Sequence, residues 1–429
     1  MTPKAVKIIN GRIITPDRII DGGNILVTGA VITAVNGPNL AGEPNPDAEP
    51  YPVDEPYRVD EPQPVDDDIP EIDAKGMYIS PGFIDLHVHG GSGFDFMDGH
   101  ETAFLTIAET HAQYGTTAML PTTLTSSKQD LLHTLDTYGR AHAINTKGAR
   151  FLGMHLEGPY FAMNQRGAQD ARYIRDPDPA EYTEILDYAS RQIAHPASPA
   201  IKRWSAAPEL KGAIDFARFA RQRGVLVSMA HTDAIYEEAL EGFENGYSLA
   251  THLYSGMSGV TRRNGFRYAG VIEAAFLIDE MAVEIIADGI HLPAPLLRLV
   301  YKIKGPDRTA LITDAMRAAG MPPGESILGN IHSGLKVIVE DGVAKLPDRS
   351  AFAGSVATSD RLVRNMVRLA GVPLVQAVKM MTQTPAAILG LRDSKGSLEP
   401  GKDADLLIFD DDIQIQMTMI GGHIVYEKR

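Results

Sequence analysis

The chain has no cysteine in its 429 residues. Disulfides, thiolate metal sites and cysteine nucleophiles are excluded together, so any bound metal must be held by histidines and carboxylates. A run of 18 uninterrupted apolar residues is also missing, and the opening MTPKAVKIINGRII alternates apolar and polar residues where a signal peptide would carry an apolar core. The expectation is a soluble, cytoplasmic protein that does not contact membranes. Basic residues are the third shortage: 40 Lys and Arg against 55 Asp and Glu give a net charge of −15, which argues against nucleic-acid binding. That deficit is concentrated. Between Glu43 and Asp73 there are twelve acidic residues and one basic one, Arg58, so the rest of the chain is close to balanced and compatible with an anionic substrate.

With 44% hydrophobic residues, the sequence can bury at least one large core. Residues 4–36 carry short alternating runs (VKIIN, GRIITP, NILVTG, AVITAVNG) broken by Gly, Asp and Asn, the pattern of antiparallel hairpins. Residues 41–72 are rich in proline and acid, with the near-repeats YPVDEP, YRVDEP and QPVDDD, and read as a solvated insertion with no apolar set from which to build a core. After Lys75 the pattern becomes strand-then-helix, repeated. Candidate strands are 83–89, 116–120, 151–156, 202–206, 225–230, 248–252, 282–287 and 309–313, with helical stretches such as 101–114, 131–144, 213–223 and 295–302 between them.

Eight such units predict an α/β fold, a (β/α)8 TIM-like barrel whose active site lies at the C-terminal ends of its strands. Beyond it, 335–346 reads as a hairpin turning at Asp341-Gly342, and 356–370 and 373–389 read as helices. The β-rich tail is expected to join the N-terminal runs in one composite β-domain, because neither half has enough strands alone. The resulting division is 1–78 and 393–429 for the β-domain and 79–392 for the barrel.

Polar residues fall where a barrel active site requires them. In PGFIDLHVHGG, His87 and His89 end the first strand two residues apart, on one side of the backbone, and can share a metal. Glu157 follows the third strand, His231 the fifth and His252 the sixth; one Glu and two His form an open-site set for zinc or a similar divalent ion. Any one of these histidines alone would read as an ordinary hydrogen-bonded core residue. Asp314, ending the eighth strand, has two readings: a general base opposite the metal, or a buried cap of a following helix.

The motifs HLEGPYF, AHTDA, THLYSGM, IADGIHL, LITDAM and AFAGS, in this order across residues 77–410, resemble the N-acetylglucosamine-6-phosphate deacetylase family of the amidohydrolase superfamily. The resemblance implies that Glu157, His231 and His252 bind the principal metal, zinc or iron, and that Asp314 is the catalytic acid/base. With both His87 and His89 present, the chain looks like the branch able to hold a second ion. It further implies contacts to a phosphorylated amino sugar from Asp288, His291, Ala353 and Gly354, and a phosphate-binding arginine at Arg263. Around that position TRRNGFRYAG carries an apparent one-residue insertion, leaving Arg262 and Arg267 as alternatives. Two further departures fall on substrate positions: Ser255-Gly256 where relatives often have Asn-Ala, and Gln169 where many have histidine. Because relatives make part of the phosphate contact across a dimer interface, a homodimer is expected. The competing functions are a different amidohydrolase, such as a cyclic amidase or deaminase, and a non-catalytic scaffold on the same barrel, which would be missing a ligand or a base.

Overall fold

The structure, a computed structural model, describes residues 5–37, 69–192 and 200–428. Most of the acidic stretch expected to be a solvated insertion lies outside the described residues. Its last part does not behave as an insertion: Glu71–Asp73 is a short strand pairing parallel to Ala5–Ile14, because the alternation Glu-Ile-Asp turns Ile72 onto an apolar face.

Two large sheets organise the chain. The first takes strands from both ends, in the order His423–Glu427, Ile415–Ile420, Leu406–Phe409, Tyr78–Pro81, Ala5–Ile14, Ile19–Thr28, Val31–Asn36. Antiparallel pairing of Leu406–Phe409 with Tyr78–Pro81 joins the two halves. One face of the sheet has its own core of Ile8, Ile13, Ile25, Val27, Ile79, Leu406 and Met417, while Leu407, Phe409 and Ile415 face the main core. Within Leu406–Phe409 that split follows from the period of two, whereas register shifts between Ile8 and Ile13 and between Ile415 and Met417 reset the alternation there.

The second sheet is parallel and curls into a nearly closed barrel: Phe83–Val88, Thr116–Thr123, a third strand broken at Leu152-Gly153 into Arg150–Phe151 and Met154–Glu157, then Ile201–Ala206, Leu226–Met229, Tyr247–Ala250, Ala282–Ile285 and Thr309–Leu311. The break coincides with Gly153 at φ 113°. The seam between first and last strands is held by Asp314 N–H donating to His87 O at 2.9 Å and His89 N–H donating to Ala315 O at 2.9 Å. Along the first strand alternate residues divide. Ile84 and Leu86 pack outward with Ala386 and Leu389, whereas Asp85 and His87 face a buried polar layer.

The helices expected between strands are present, including Glu101–Ala112, Lys128–Ile144 and Ala213–Gln222. Two differ. The expected 295–302 helix extends over Ala294–Arg308, with a kink at Gly305 (φ 64°) beside Pro306. The expected single helix 373–389 is two, Leu374–Met381 and Gln383–Ile388, parted at Thr382. The hairpin at 335–346 forms as expected, and it belongs to a larger antiparallel sheet, Gly324–Leu328, Leu335–Glu340, Val343–Lys345, Phe352–Ser355, over the barrel mouth.

Candidate metal centre and active site

Four imidazoles and two carboxylates meet at the C-terminal ends of the barrel strands. Glu157 Oε1 lies 2.9 Å from His252 Nε2, 3.2 Å from His231 Nε2 and 3.5 Å from His87 Nε2, and Oε2 lies 3.3 Å from His89 Nε2. Asp314 Oδ1 is 3.1 Å from His89 Nε2 and 3.5 Å from His87 Nε2. All six side chains are buried. Asp314 caps no helix, since the backbone after it forms turns, so its carboxylate is left for this cluster. His231, His252 and Asp314 have φ of 46°, 30° and 45°, a left-handed conformation costly for non-glycine residues and concentrated at functional sites. Backbone bonds hold it: the carbonyls of His231, His252 and Asp314 accept from the N–H groups of Ala162, Ser255 and Ser355 at 2.8, 2.9 and 2.7 Å.

The donor set fits a divalent cation. His231 Nδ1 donates to Gln165 O at 2.8 Å and His252 Nδ1 to Ser255 O at 3.1 Å; a carbonyl only accepts, so the Nδ1 proton of each ring is fixed and Nε2 is the nitrogen turned towards Glu157. At 2.9–3.2 Å an Nε2 lone pair and a carboxylate oxygen repel, so each Nε2 must meet Glu157 through either a proton or a metal ion. The ionisation of the cluster residues is shifted by their mutual contacts and by burial. Burial opposes charge on His89, yet hydrogen bonds to Asp314 and Glu157 outweigh it and push the ring up to about 10. Burial likewise opposes ionisation of Glu157, but the surrounding imidazoles, His87 foremost, hold it well below the usual carboxylate range. His87 goes the other way, pulled down by burial.

Two triads have ligand atoms within 4.8 Å of one another: His87, Glu157 and His252, and His87, His89 and Asp314. The two halves of the cluster differ in support. His231 and His252 have carbonyl partners that fix their rings, while His87 Nδ1 and His89 Nδ1 are buried without a hydrogen-bond partner among the described residues. Such outer partners orient ligands and strengthen binding, so the half built on His231 and His252 is the better prepared.

Apart from His87, which lies behind the others, the cluster lines a cavity of about 300 Å3 that opens to solvent. Of the residues singled out in the sequence, His89, Glu157, Gln169, His231, His252 and Asp314 line it, and Ser255, Gly256, His291 and Gly354 complete its wall. Gly256 runs at φ 56° where a Cβ would meet His231 Nδ1 at 2.7 Å, so it passes directly over the His231–Gln165 bond. Gly354, also left-handed at φ 75°, comes within reach of Asp314 O, and Ala353 is buried beside it. Asp288 stands behind His291: its Oδ2 accepts from His291 Nδ1 at 2.7 Å, and its Oδ1 accepts from the N–H groups of Ile290 and His291, both at 2.8 Å. Phe352 packs on the His291 ring at 4.7 Å between centroids.

Arg263 is not brought to this cavity within its own chain. It lies on an exposed two-stranded hairpin, Thr261–Arg263 with Phe266–Tyr268, in which Arg262 is paired with Arg267 and Arg263 with Phe266.

Sequence reasoning missed the layer beneath the histidines. Arg203 and Glu284, both fully buried, form an ion pair, with Arg203 Nη2 also donating to Thr251 Oγ1 at 2.7 Å, Nη1 to Leu86 O at 3.2 Å and Nε to Ser228 Oγ at 2.9 Å. Asp85 accepts from Thr313 Oγ1 at 2.5 Å and is pushed up to about 7 by burial. The available signal was a charged residue in the middle of an otherwise buried strand, in IKRWSA and AVEI.

Residues 78–425 match the amidohydrolase family. The chain is 34% identical to an N-acetylglucosamine-6-phosphate deacetylase of Vibrio furnissii over 81% of this chain and 83% of that one. It is 33% identical to an N-acetylgalactosamine-6-phosphate deacetylase of Escherichia coli, over 83% and 89% respectively. A crystal structure of N-acetylglucosamine-6-phosphate deacetylase from Pasteurella multocida superposes with a TM-score of 0.84 at 27% identity, over 98% of this chain and 99% of the other. A buried His and carboxylate cluster at the strand ends of a parallel barrel, a family match across most of the chain, and relatives alike over their full architecture agree: the chain belongs to the amidohydrolase family, among its sugar-phosphate deacetylases.

Proposed function

We propose that this protein hydrolyses the acetamide of N-acetylglucosamine 6-phosphate to glucosamine 6-phosphate and acetate, using one or two divalent ions, zinc or iron, per subunit. The observation that carries the reading is the cluster of four imidazoles and two carboxylates at the cavity, with two imidazole Nε2 atoms turned towards a carboxylate. In this reading Glu157, His231 and His252 hold the principal ion, and His87 and His89 hold a second with Asp314 beside them. A divalent ion there lowers the pKa of a coordinated water towards roughly 7 and polarises a carbonyl oxygen.

The remaining work belongs to the chain. Asp314 takes a proton from the attacking water and returns it to the amide nitrogen, which leaves only as an amine; the other water proton departs with the acetic acid and is lost to solvent. Asp288 fixes His291 with Nδ1–H outward to the carboxylate, which leaves Nε2 to receive a sugar hydroxyl. Gly354 and Ser255-Gly256 supply close backbone walls for the acetyl and sugar groups.

The phosphate is assigned to Arg263 of a second subunit in a homodimer, with Arg262 and Arg267 as register alternatives. The hairpin supports this: Arg262 sits directly opposite Arg267, a like-charge pairing that is unfavourable by itself, and Phe266 beside them is 72% exposed. A bidentate guanidinium suits a phosphate better than lysine does. Arg263→Ala is expected to raise KM for the phosphorylated sugar about 10- to 100-fold, corresponding to roughly 1.5–3 kcal/mol for a charged hydrogen bond, with little change on the unphosphorylated sugar. Equal losses on both sugars in Arg262→Ala, Arg263→Ala and Arg267→Ala would move the phosphate site elsewhere.

The reading as a whole is tested by acetate release from the 6-phosphates of N-acetylglucosamine and N-acetylgalactosamine, the unphosphorylated sugar and dihydroorotate. The two sugar phosphates are both included because relatives of each kind are nearly equally similar. Chelation is expected to abolish turnover, and zinc, iron or manganese to restore it. A verifiably metal-free enzyme with full activity would refute the proposed chemistry.

A further inference from the structure

We propose that Gln169 is a positioning residue for the metal-binding carboxylate of Glu157; this rests on the metal reading above and assigns the side chain a task other than contact with the sugar. Gln169 Nε2 donates to Glu157 Oε2 at 2.7 Å, and Gln169 Oε1 accepts from Thr125 N–H at 2.8 Å. The orientation of the amide is fixed by chemistry: a backbone N–H only donates, so the oxygen must face Thr125 and the NH2 must face Glu157.

The Gln169 side chain therefore bridges the backbone just past the second barrel strand to the carboxylate that ends the third. It is buried, and its own N–H is tied to Arg166 O at 2.9 Å in a turn, so the bridge is anchored at both ends. The last torsion of a glutamate is broad and roughly two-fold, which makes the carboxylate plane the loosest part of this ligand. Holding Oε2 fixes that plane. Oε1 is then presented to the gap between His231 and His252, 3.2 and 2.9 Å away.

An amide does this without ionising at any working pH, so Glu157 keeps its full charge for the ion. The sequence departure at position 169 thus has its consequence at Glu157. Substitutions among such outer partners change metal affinity about 10- to 100-fold.

The test uses the full-length protein stripped with a chelator, titrated with Zn2+ against a chromophoric competitor, alongside steady-state kinetics at saturating metal. Gln169→Met, close in shape but without a donor, is expected to weaken zinc binding about 10- to 100-fold and to lower kcat, while KM for the phosphorylated sugar changes less than about threefold. Gln169→Ala serves where the methionine variant fails to fold, with the thermal midpoint as the check on both. Zinc affinity within about twofold of wild type, together with a raised KM, would overturn the proposal and make Gln169 a sugar contact only. Folded wild-type protein that binds no zinc, iron or manganese would overturn the metal reading itself, an outcome distinct from a variant-specific result.

Discussion

Asp314→Asn is expected to retain its full metal content and lose at least about a hundredfold in kcat, the lower end of what a positioned acid/base contributes. Asparagine is the informative replacement. It matches aspartate in size, and it tolerates the left-handed backbone (φ 45°) that alanine would strain. The backbone ties that place the residue, Asp314 N–H to His87 O at 2.9 Å and Ser355 N–H to Asp314 O at 2.7 Å, do not involve the side chain and survive the change. What is lost is the ability to take up a proton and give it back. Substrate affinity should hold within a few-fold, so kcat and kcat/KM fall together, the mark of an interaction made only in the transition state. Metal analysis of the purified variant separates this from loss of a ligand, which matters because Asp314 Oδ1 also stands 3.1 Å from His89 Nε2. A metal-loaded variant with near-wild-type turnover would remove Asp314 from the proton transfer.

The barrel was legible because each of its strands is a short apolar run followed at a fixed point by a polar residue, as in FIDLHVH and LITDA. Polar residues also lie inside these strands, Asp85 in the first among them, but those at the C-terminal ends, His87, His89, Glu157, His231, His252 and Asp314, are the ones the fold gathers into one cluster. Strand pairing across long distances was harder to read. Phe352–Ser355 contains Gly354 and looks like a loop, yet it is held to Val343–Lys345 by antiparallel pairing and to Asp314 by the Ser355 N–H bond, contacts that no local pattern encodes. Glu71–Asp73 was absorbed into the acidic stretch for a similar reason: three residues with one isoleucine become a strand only beside Ala5–Ile14. Gln169 could be marked as unusual from the sequence, but its partner, Glu157, lies twelve residues back, and only the fold brings the two together.

Arg203 and Glu284 show most clearly what a linear reading passes over, and they carry the largest expected effect on stability. Each is a fully buried charge within a strand, and each would be costly there alone; together they form a buried pair whose remaining guanidinium donors are met by Ser228, Thr251 and Leu86 O. Arg203→Met leaves Glu284 buried without its partner and is expected to cost about 3–5 kcal/mol. The thermal midpoint should fall by on the order of 3–6 °C in a chain of this length. The double replacement Arg203→Met with Glu284→Met should recover most of that loss, because removing both charges also removes the need to desolvate them. The Ser228 and Thr251 hydroxyls keep each other as partners at 3.1 Å, and Ser228 keeps Ser205 at 2.8 Å. Activity should not recover with stability. Thr251 and Leu86 immediately precede His252 and His87, so the guanidinium links the two strands that carry these histidines, which the methionine pair leaves free to shift, and catalytic geometry tolerates shifts poorly. A double variant that regains both its melting point and its kcat would reduce the pair to a structural filler; one that regains only the melting point would show that the barrel's charged layer holds His87 and His252 in place.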